Sequence, residues 1–400
     1  MELQEQRVSS IFIVPLIVFF VGVLLFIALL HGQRDLIIFS ILILGVVTGA
    51  RLWSRYGLSG IRCSSTLNRE KVFPDERLSL TVTAENAKFL PVWLQMTIPV
   101  AGPLHPGSEG AAFAEESGLL WYQKARFDWD LVAQRRGVHQ VGPPHIEAAD
   151  IFGFFPRQRE EQESLNVIVY PRLVPLRPMS LPRRDLFGIP GSKSPVQDPV
   201  YILGTRDYQQ WRPARYIHWK ASARHNRLQE KIFEPSEQEK VLLAVEVSPF
   251  SKNNAEQGFE HTLEVVASLA VRLDQHGFSV GLLSNGAVDG EGLTIIPIAR
   301  NPGQLPAILE ALARLRMEVK WDLIAMLRGS FELPWGLSCV HFSYEEDETT
   351  QHLEGYLQHR KIPIVRVVCR SGPASGPYER TGGGKTYHLD EIRIGKTEER

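Results

Sequence analysis

Lys240 to Val247 reads KVLLAVEV, and Phe259 to His276 follows it as FEHTLEVVASLAVRLDQH. The first run is apolar almost without interruption, as in a strand covered on both faces. The second carries Leu263, Val266, Ala267, Ala270 and Leu273 at helical spacing, the stripe of a helix that buries one side. The same couple recurs downstream. Phe278–Leu283 and Leu293–Ile298 read as buried strands, Leu305–Leu315 as an amphipathic helix, and Asp322–Leu327 as the start of another. Leu337–Phe342 reads as strand, Thr349–Arg360 as helix, and Ile362–Cys369 as strand. Strands alternating with helices of this length need crossovers, so a parallel, doubly wound α/β sheet is predicted over 240–370. The remainder, 371–400, contains GPASGP and TGGGK and reads as a Gly-rich tail around one short strand.

Upstream the texture is different. Over 61–171 no segment keeps a helical period for three turns, whereas RLSLTVTA (Arg77–Ala84) alternates large apolar with polar or small residues, the period of a half-buried strand. Val92–Val100, Leu119–Val132 and Val138–Ile146 are further strand candidates between Gly/Pro-rich turns such as AGPLHPGSEG. An antiparallel, sandwich-like β-domain is predicted there. A Pro- and Arg-rich loop (171–199) opens a signature and linker region, 172–239, that leads into the α/β domain.

The first 56 residues are different again. Ile11–Leu30 runs for twenty residues without a charge, roughly 30 Å of helix and enough for a bilayer core. Leu36–Ala50 is a second apolar run that Arg51 and Trp53 extend. A signal peptide fits poorly, because the first run exceeds an h-region, no small-x-small cleavage site follows, and a second run comes five residues later. The pattern predicts a transmembrane hairpin with helices at about 11–30 and 36–53. Arg51, Arg55, Arg62, Arg69 and Lys71 flank it against the single acid Glu70, while the tip carries only Arg34 beside Asp35. Positive-inside logic then puts both termini and the soluble domains in the cytoplasm, on the inner membrane.

Across all 400 residues, 44 Lys plus Arg nearly cancel 45 Asp plus Glu, so the chain has no electrostatic footprint for nucleic acid. Cys63, Cys339 and Cys369 lack CxxC spacing and cannot all pair, which excludes a zinc ribbon and a disulfide scaffold and agrees with a reducing compartment.

Few segments carry chemistry. TGGGKT (381–386) is not a phosphate loop, since the first required Gly is Glu379 and the segment ends the fold. His218 and His225 lack completing ligands, and GxSxG and HExxH are absent. No catalytic constellation is recognised. Glu246-Val247-Ser248-Pro249-Phe250-Ser251 ends the first α/β strand, where ligands of such sheets sit. An acid followed by hydroxyls resembles the start of a von Willebrand A-type Mg²⁺ site. Here Glu replaces Asp, Phe250 fills the second hydroxyl position, and Ser251 is out of phase. The site, with Glu246 and Ser248 as candidates, therefore reads as degenerate and empty, because Mg²⁺ demands near-ideal octahedral oxygens. Ser284, Asn285, Ser343 and Glu345 are other strand-end oxygens.

The densest unusual segment is Arg206–Arg224, RDYQQWRPARYIHWKASAR, with two Trp, two Tyr and five cationic side chains. It reads as an internal linchpin in which Ile217 and Trp219 turn inward and Arg206, Arg215 and Arg224 pair with carboxylates. A protein-binding surface is the competing reading, since Arg beside aromatic faces makes an anchored contact patch.

This segment resembles the signature of the domain of unknown function 58 family. Arg206, Asp207 and Tyr208 match its Arg-Glu-Tyr start, with Asp for Glu. Arg215, Ile217, His218, Trp219, Lys220, Ala221, Ser222, Ala223 and Arg224 match its core. RRGVHQVGP (135–143), DIFGFF (150–155) and VYPRLVPL (169–176) are similar to the family too. Trp211-Arg212 departs from its usual Gly-Asp pair. The resemblance implies a von Willebrand A-like, Rossmann-type domain and a neighbouring MoxR-type AAA+ ATPase as partner, without naming a reaction. Together these readings lead to a multidomain, membrane-anchored, non-enzymatic adaptor with no cofactor. The alternative is a metal-assisted hydrolase, or another enzyme, using the strand end near Glu246.

Overall fold

The N-terminal apolar runs form two helices, α1 (Val8–Leu30) and α2 (Arg34–Arg55), which pack on each other across a three-residue connection. Gly32 in that connection has φ of 64°, a conformation that favours glycine. Phe19, Phe26, Ile38, Phe39 and Leu42 face outward with no protein over them, the reverse of a soluble core helix. The 22 residues of α2 span about 33 Å and are apolar enough to cross a membrane.

These helices belong to the first of two units, Met1–Tyr170 and Pro171–Arg400, in a computed structural model. The structure describes residues 8–104, 112–149, 155–179, 197–209, 213–235, 239–290, 294–329, 333–334, 336–370 and 385–394. Most of AGPLHPGSEG and DIFGFF, together with Trp211-Arg212 and the Gly-rich part of the tail, lies outside these residues.

In the first unit the strands are β1 (Ile61–Leu67), β2 (Lys71–Val72), β3 (Arg77–Asn86), β4 (Val92–Pro99) and β5 (Ala112–Leu119). They continue as β6 (Lys124–Val132), β7 (Gly137–Val141), β8 (His145–Ala149), β9 (Arg157–Glu160) and β10 (Leu165–Val169). They form sheets ordered β1-β3-β6, β5-β4-β8-β9 and β2-β10-β7, antiparallel except where β2 pairs with β10. Leu78, Leu80, Val82 and Ala84 of β3 and Val92, Leu94, Met96 and Ile98 of β4 enter one core with Phe127, Leu131 and Ile146. Two expected strands are each split. Leu119–Val132 turns at residues 120–123, and Val138–Ile146 breaks at Gly142-Pro143-Pro144, because proline cannot donate to the ladder. The edge strand β5, largely exposed, has no apolar alternation to announce it.

The second unit opens with β11 (Gln197–Asp207), α3 (Trp219–His225) and β12 (Gln229–Pro235), the two strands forming an antiparallel ribbon. It continues through β13 (Lys240–Val245), α4 (Ser248–Lys252), α5 (Glu256–Gln275), β14 (Ser279–Ser284), β15 (Gly286–Val288) and β16 (Ile295–Ala299). Then come α6 (Gln304–Arg314), β17 (Leu315–Val319), α7 (Leu323–Gly329), β18 (Leu337–Ser343), α8 (Glu348–His359), β19 (Ile364–Val368), β20 (Lys385–His388) and α9 (Leu389–Ile392). Six of these strands make one mixed sheet, β16-β14-β13-β18-β19-β20. Every pair in it is parallel except β14 with β16. Leu242, Ala244, Cys339 and Ile364 pack on Leu323 and Leu327 of α7 and Leu353 and Leu357 of α8. On the other face Phe342 and Val367 meet Val265, Leu269 and Leu273 of α5 around a small cavity.

The wholly parallel sheet expected here is corrected at its edge. Leu293–Ile298 becomes the antiparallel β16, and β15 and β17 form an extra antiparallel pair absent from the sequence reading. The last strand and α9 show that part of the expected tail completes the sheet and its packing: Ile392 is buried and its carbonyl accepts from the Arg177 amide at 2.8 Å. All three cysteines are free, and burial pushes the Cys339 thiol up to about 12.

Candidate functional site

The signature segment is held by the β11–β12 ribbon, whose register sets Arg206 opposite Glu230 and Asp207 opposite Gln229. The Arg206 guanidinium pairs with Glu230, whose carboxylate is fully buried. Asp207 accepts from Arg227 at 3.1 Å and from the side-chain Nε2 of Gln229 at 2.5 Å. Tyr208 continues the ribbon through its amide, which donates to the Leu228 carbonyl.

After a short turn over Ala214–Tyr216, Ile217 is buried and bridges to Glu230, and its neighbour His218 starts α3. The His218 amide donates to the Gln229 carbonyl at 2.7 Å, and its Nδ1 accepts the Ala221 amide at 3.1 Å. That cap requires an unprotonated Nδ1, since a lone pair must receive the orphan N–H of the helix start. Ser222 locks the other side: its hydroxyl donates to the His218 carbonyl at 3.0 Å and accepts the Gln229 amide at 2.8 Å. The helix ends at Asn226, φ 53°.

This framework leaves an unusual surface. Trp219 is 69% exposed, and Arg215, Lys220, Arg224, His225 and Arg227 are exposed with it. The expected inward turn of Trp219 is therefore wrong; Ile217 alone takes the inward place, because α3 is pinned by His218 and Ser222 with its first residue outward. Arg206 does pair with a carboxylate. Arg215 instead lies over the Tyr216 ring at 5.1 Å, and among the described residues neither Arg215 nor Arg224 pairs with a carboxylate.

The second candidate site is the end of β13. The Glu246 amide continues the sheet to the Phe342 carbonyl, and its carboxylate is buried 3.1 Å from Nε2 of His341 on β18. The next residues are clamped by Asn285: its Oδ1 accepts the Val247 amide at 2.7 Å and its Nδ2 donates to the Ser248 hydroxyl at 2.9 Å. Phe250 is buried against Phe259 and Tyr344. Ser343 donates to the Glu345 carbonyl, and the Ser284 hydroxyl accepts the Gly286 amide. Glu345 itself binds Arg370 at 2.6 Å and Asn253 at 3.1 Å, and these partners, Arg370 first, hold its carboxyl below the usual carboxylate range. The strand-end oxygens thus bond mainly to one another's loops. Among the described residues no three His, Cys, Asp or Glu side chains are arranged to hold a cation, so the Glu246–Ser248 pair lacks a completing set.

Sequence reasoning missed His341 and Glu230. A histidine inside LSCVHFS was the available signal for the first, since polar residues in buried strands need partners, whereas Glu230 lies in a segment read only as linker.

Residues 204–325 match the family described as "Protein of unknown function DUF58". The "Uncharacterized protein YeaD" of Bacillus subtilis (strain 168) is 24% identical over 271 residues, 66% of this chain and 65% of that protein, so the chain spans just under two thirds of its length. Solved structures are more distant. The PapD-like domain 7 of human CEP192 is 11% identical, with 26% of this chain and 84% of that one covered at a TM-score of 0.18. The CARDB domain of a Pyrococcus furiosus protein is 9% identical, with 28% and 96% covered at 0.20. Scores this low establish no shared fold.

Proposed function

Residues 204–325 carry the domain of the DUF58 family, and from that premise we propose that the chain is a membrane-anchored, non-enzymatic adaptor that binds a protein partner through the α3 surface. Trp219 carries this reading. A large indole held in solvent by a hydrogen-bonded helix start adds nothing to its own core, whereas Trp and Arg are the side chains that anchor protein interfaces. Arg215, Lys220 and Arg224 around it favour an acidic partner face. A MoxR-type AAA+ ATPase is the partner class that the family resemblance implies.

The α/β unit supports a binding role. Numbering the six strands β13, β14, β16, β18, β19 and β20 in chain order, their sheet order is 3-2-1-4-5-6 with the third antiparallel, which favours a von Willebrand A-like, Rossmann-type module. The internal bonds of Glu246 and Ser248 favour a version that works without an ion. In this reading α1 and α2 form a transmembrane hairpin, and the excess of basic residues over 51–71 keeps the soluble units in the cytoplasm.

Pull-down of the full chain from detergent, with and without nucleotide, is the test. The wild type is expected to recover an ATPase, and Trp219→Ala with Lys220→Glu to lose at least tenfold of it at unchanged melting temperature. Recovery of no stable partner would overturn the adaptor. A heat of Mg²⁺ binding that Glu246→Ala abolishes would favour the hydrolase instead.

A further inference from the structure

Two loops of the β-domain, residues 86–91 and 119–123, end in a cluster of apolar side chains that its core does not use. Phe89, Leu120, Trp121 and Tyr122 are 71, 54, 53 and 67% exposed, and the Phe89 and Trp121 rings stack at 5.6 Å between centroids. The loops are built rather than loose. Buried Asn86 donates from one amide group to the carbonyls of Leu90 at 2.8 Å and Leu120 at 2.9 Å, and its backbone amide donates to Gln123. The Leu120 amide in turn donates to the Gln123 side chain, and the Tyr122 amide to the Lys88 carbonyl.

The cluster also has a definite address. Lys88, next to Phe89, sends its ammonium onto the carbonyls of Tyr56, Gly57 and Ser59, the residues that follow the last turn of α2. Trp53, inside that last turn, donates its indole N–H to the Pro91 carbonyl at 2.8 Å. The aromatic tip is therefore fixed beside the end of the apolar helix α2, whose final residues include Arg51 and Arg55.

We propose that this tip inserts into the headgroup boundary of the bilayer beside the end of α2, so that the β-domain is held on the membrane by its loops as well as by its helices. The inference rests on the reading of α1 and α2 as membrane-spanning. Aromatic rings favour that boundary, where an apolar face and a polar edge are both satisfied, and arginine and lysine belong beside them. A stacked Phe–Trp pair with Leu and Tyr matches the apolar face of an interfacial anchor, which sits roughly 5–10 Å into the boundary. Asn86 explains how the side chains stay presented without packing of their own: the loop backbones are closed by hydrogen bonds.

Photo-crosslinking tests this with the full chain in liposomes of labelled phosphatidylglycerol and phosphatidylethanolamine, carrying p-benzoylphenylalanine at Phe89, Phe26 or Asp130. Phe26 is an outward residue of α1, and the exposed Asp130 lies six residues, about 20 Å, along β6 from Lys124. Lipid adducts are expected at Phe89 and Phe26, at least tenfold above Asp130. Adducts at Phe26 but not Phe89 would overturn the inserted tip and leave the anchor standing. Adducts at neither would overturn the membrane reading and the tip with it. A crosslinked dimer at Phe89 in place of lipid would assign the tip to a second copy and also overturn the proposal.

Discussion

The end of β13 and the surface of α3 draw on similar residues to opposite ends. At the strand end an acid, a histidine, an asparagine and serines are drawn inward, Glu246 to His341 and Ser248 to Asn285, until the loop is tied down. At α3, among the described residues, the polar bonds are made by His218 and Ser222 underneath, and Trp219, Lys220 and Arg224 are exposed. At the position that ligand-binding α/β sheets usually offer, the described side chains bond to one another, whereas exposed aromatic and cationic side chains lie on a short helix before the sheet.

That contrast can be broken by substitution. The largest effect is expected from His341→Ala, which strands the buried Glu246 carboxylate; denaturant unfolding of the detergent-solubilised chain should show a loss of roughly 3 kcal/mol. A loss under 1 kcal/mol would mean that the pair is not the structural tie drawn here. Asn285→Ala removes two bonds and leaves the Val247 amide unpaired in a buried loop, a loss of about 2 kcal/mol in the same measurement.

A smaller effect comes with a pH signature. The Glu345 carboxyl is held low in the folded chain, chiefly by Arg370, so its stabilisation is complete above the ordinary carboxylate range and fades as pH falls through the folded value. The pair is partly exposed and contributes about 0.5 kcal/mol, so Glu345→Gln should flatten the acid limb of the stability profile only slightly. Trp219→Ala closes the series: stability should change by less than about 0.5 kcal/mol while partner capture is lost. A large destabilisation by Trp219→Ala would restore the inward linchpin.

Much of the architecture was legible because it rests on local patterns. Strands covered on both faces leave apolar runs such as KVLLAVEV, amphipathic helices leave stripes such as Leu263 to Leu273, and a helix apolar on its outward side leaves an uncharged run. Other parts left no such mark. The exposed strand Ala112–Leu119 has no alternation. The antiparallel sense of Ile295–Ala299 was readable but missed, since the short link from β14 leaves no room for the crossover helix that a parallel neighbour requires. At the candidate site, the signature residues stood out by composition, but a seven-residue helix shows too few turns for periodicity to say which face is inward. Trp219 was misplaced for that reason.

The chain's own order of residues determined most of the helices and buried strands, where the long apolar helices lie, and that 206–224 is exceptional, because each of these depends on neighbours within a few turns or pleats. The tertiary structure alone decided that Glu246 meets His341, 95 positions away, since that contact exists only once β13 and β18 lie side by side. It alone also decided that Lys88 grips the end of α2 and that Phe89 stacks on Trp121 there. Such contacts join groups distant in the chain, and no local period records them.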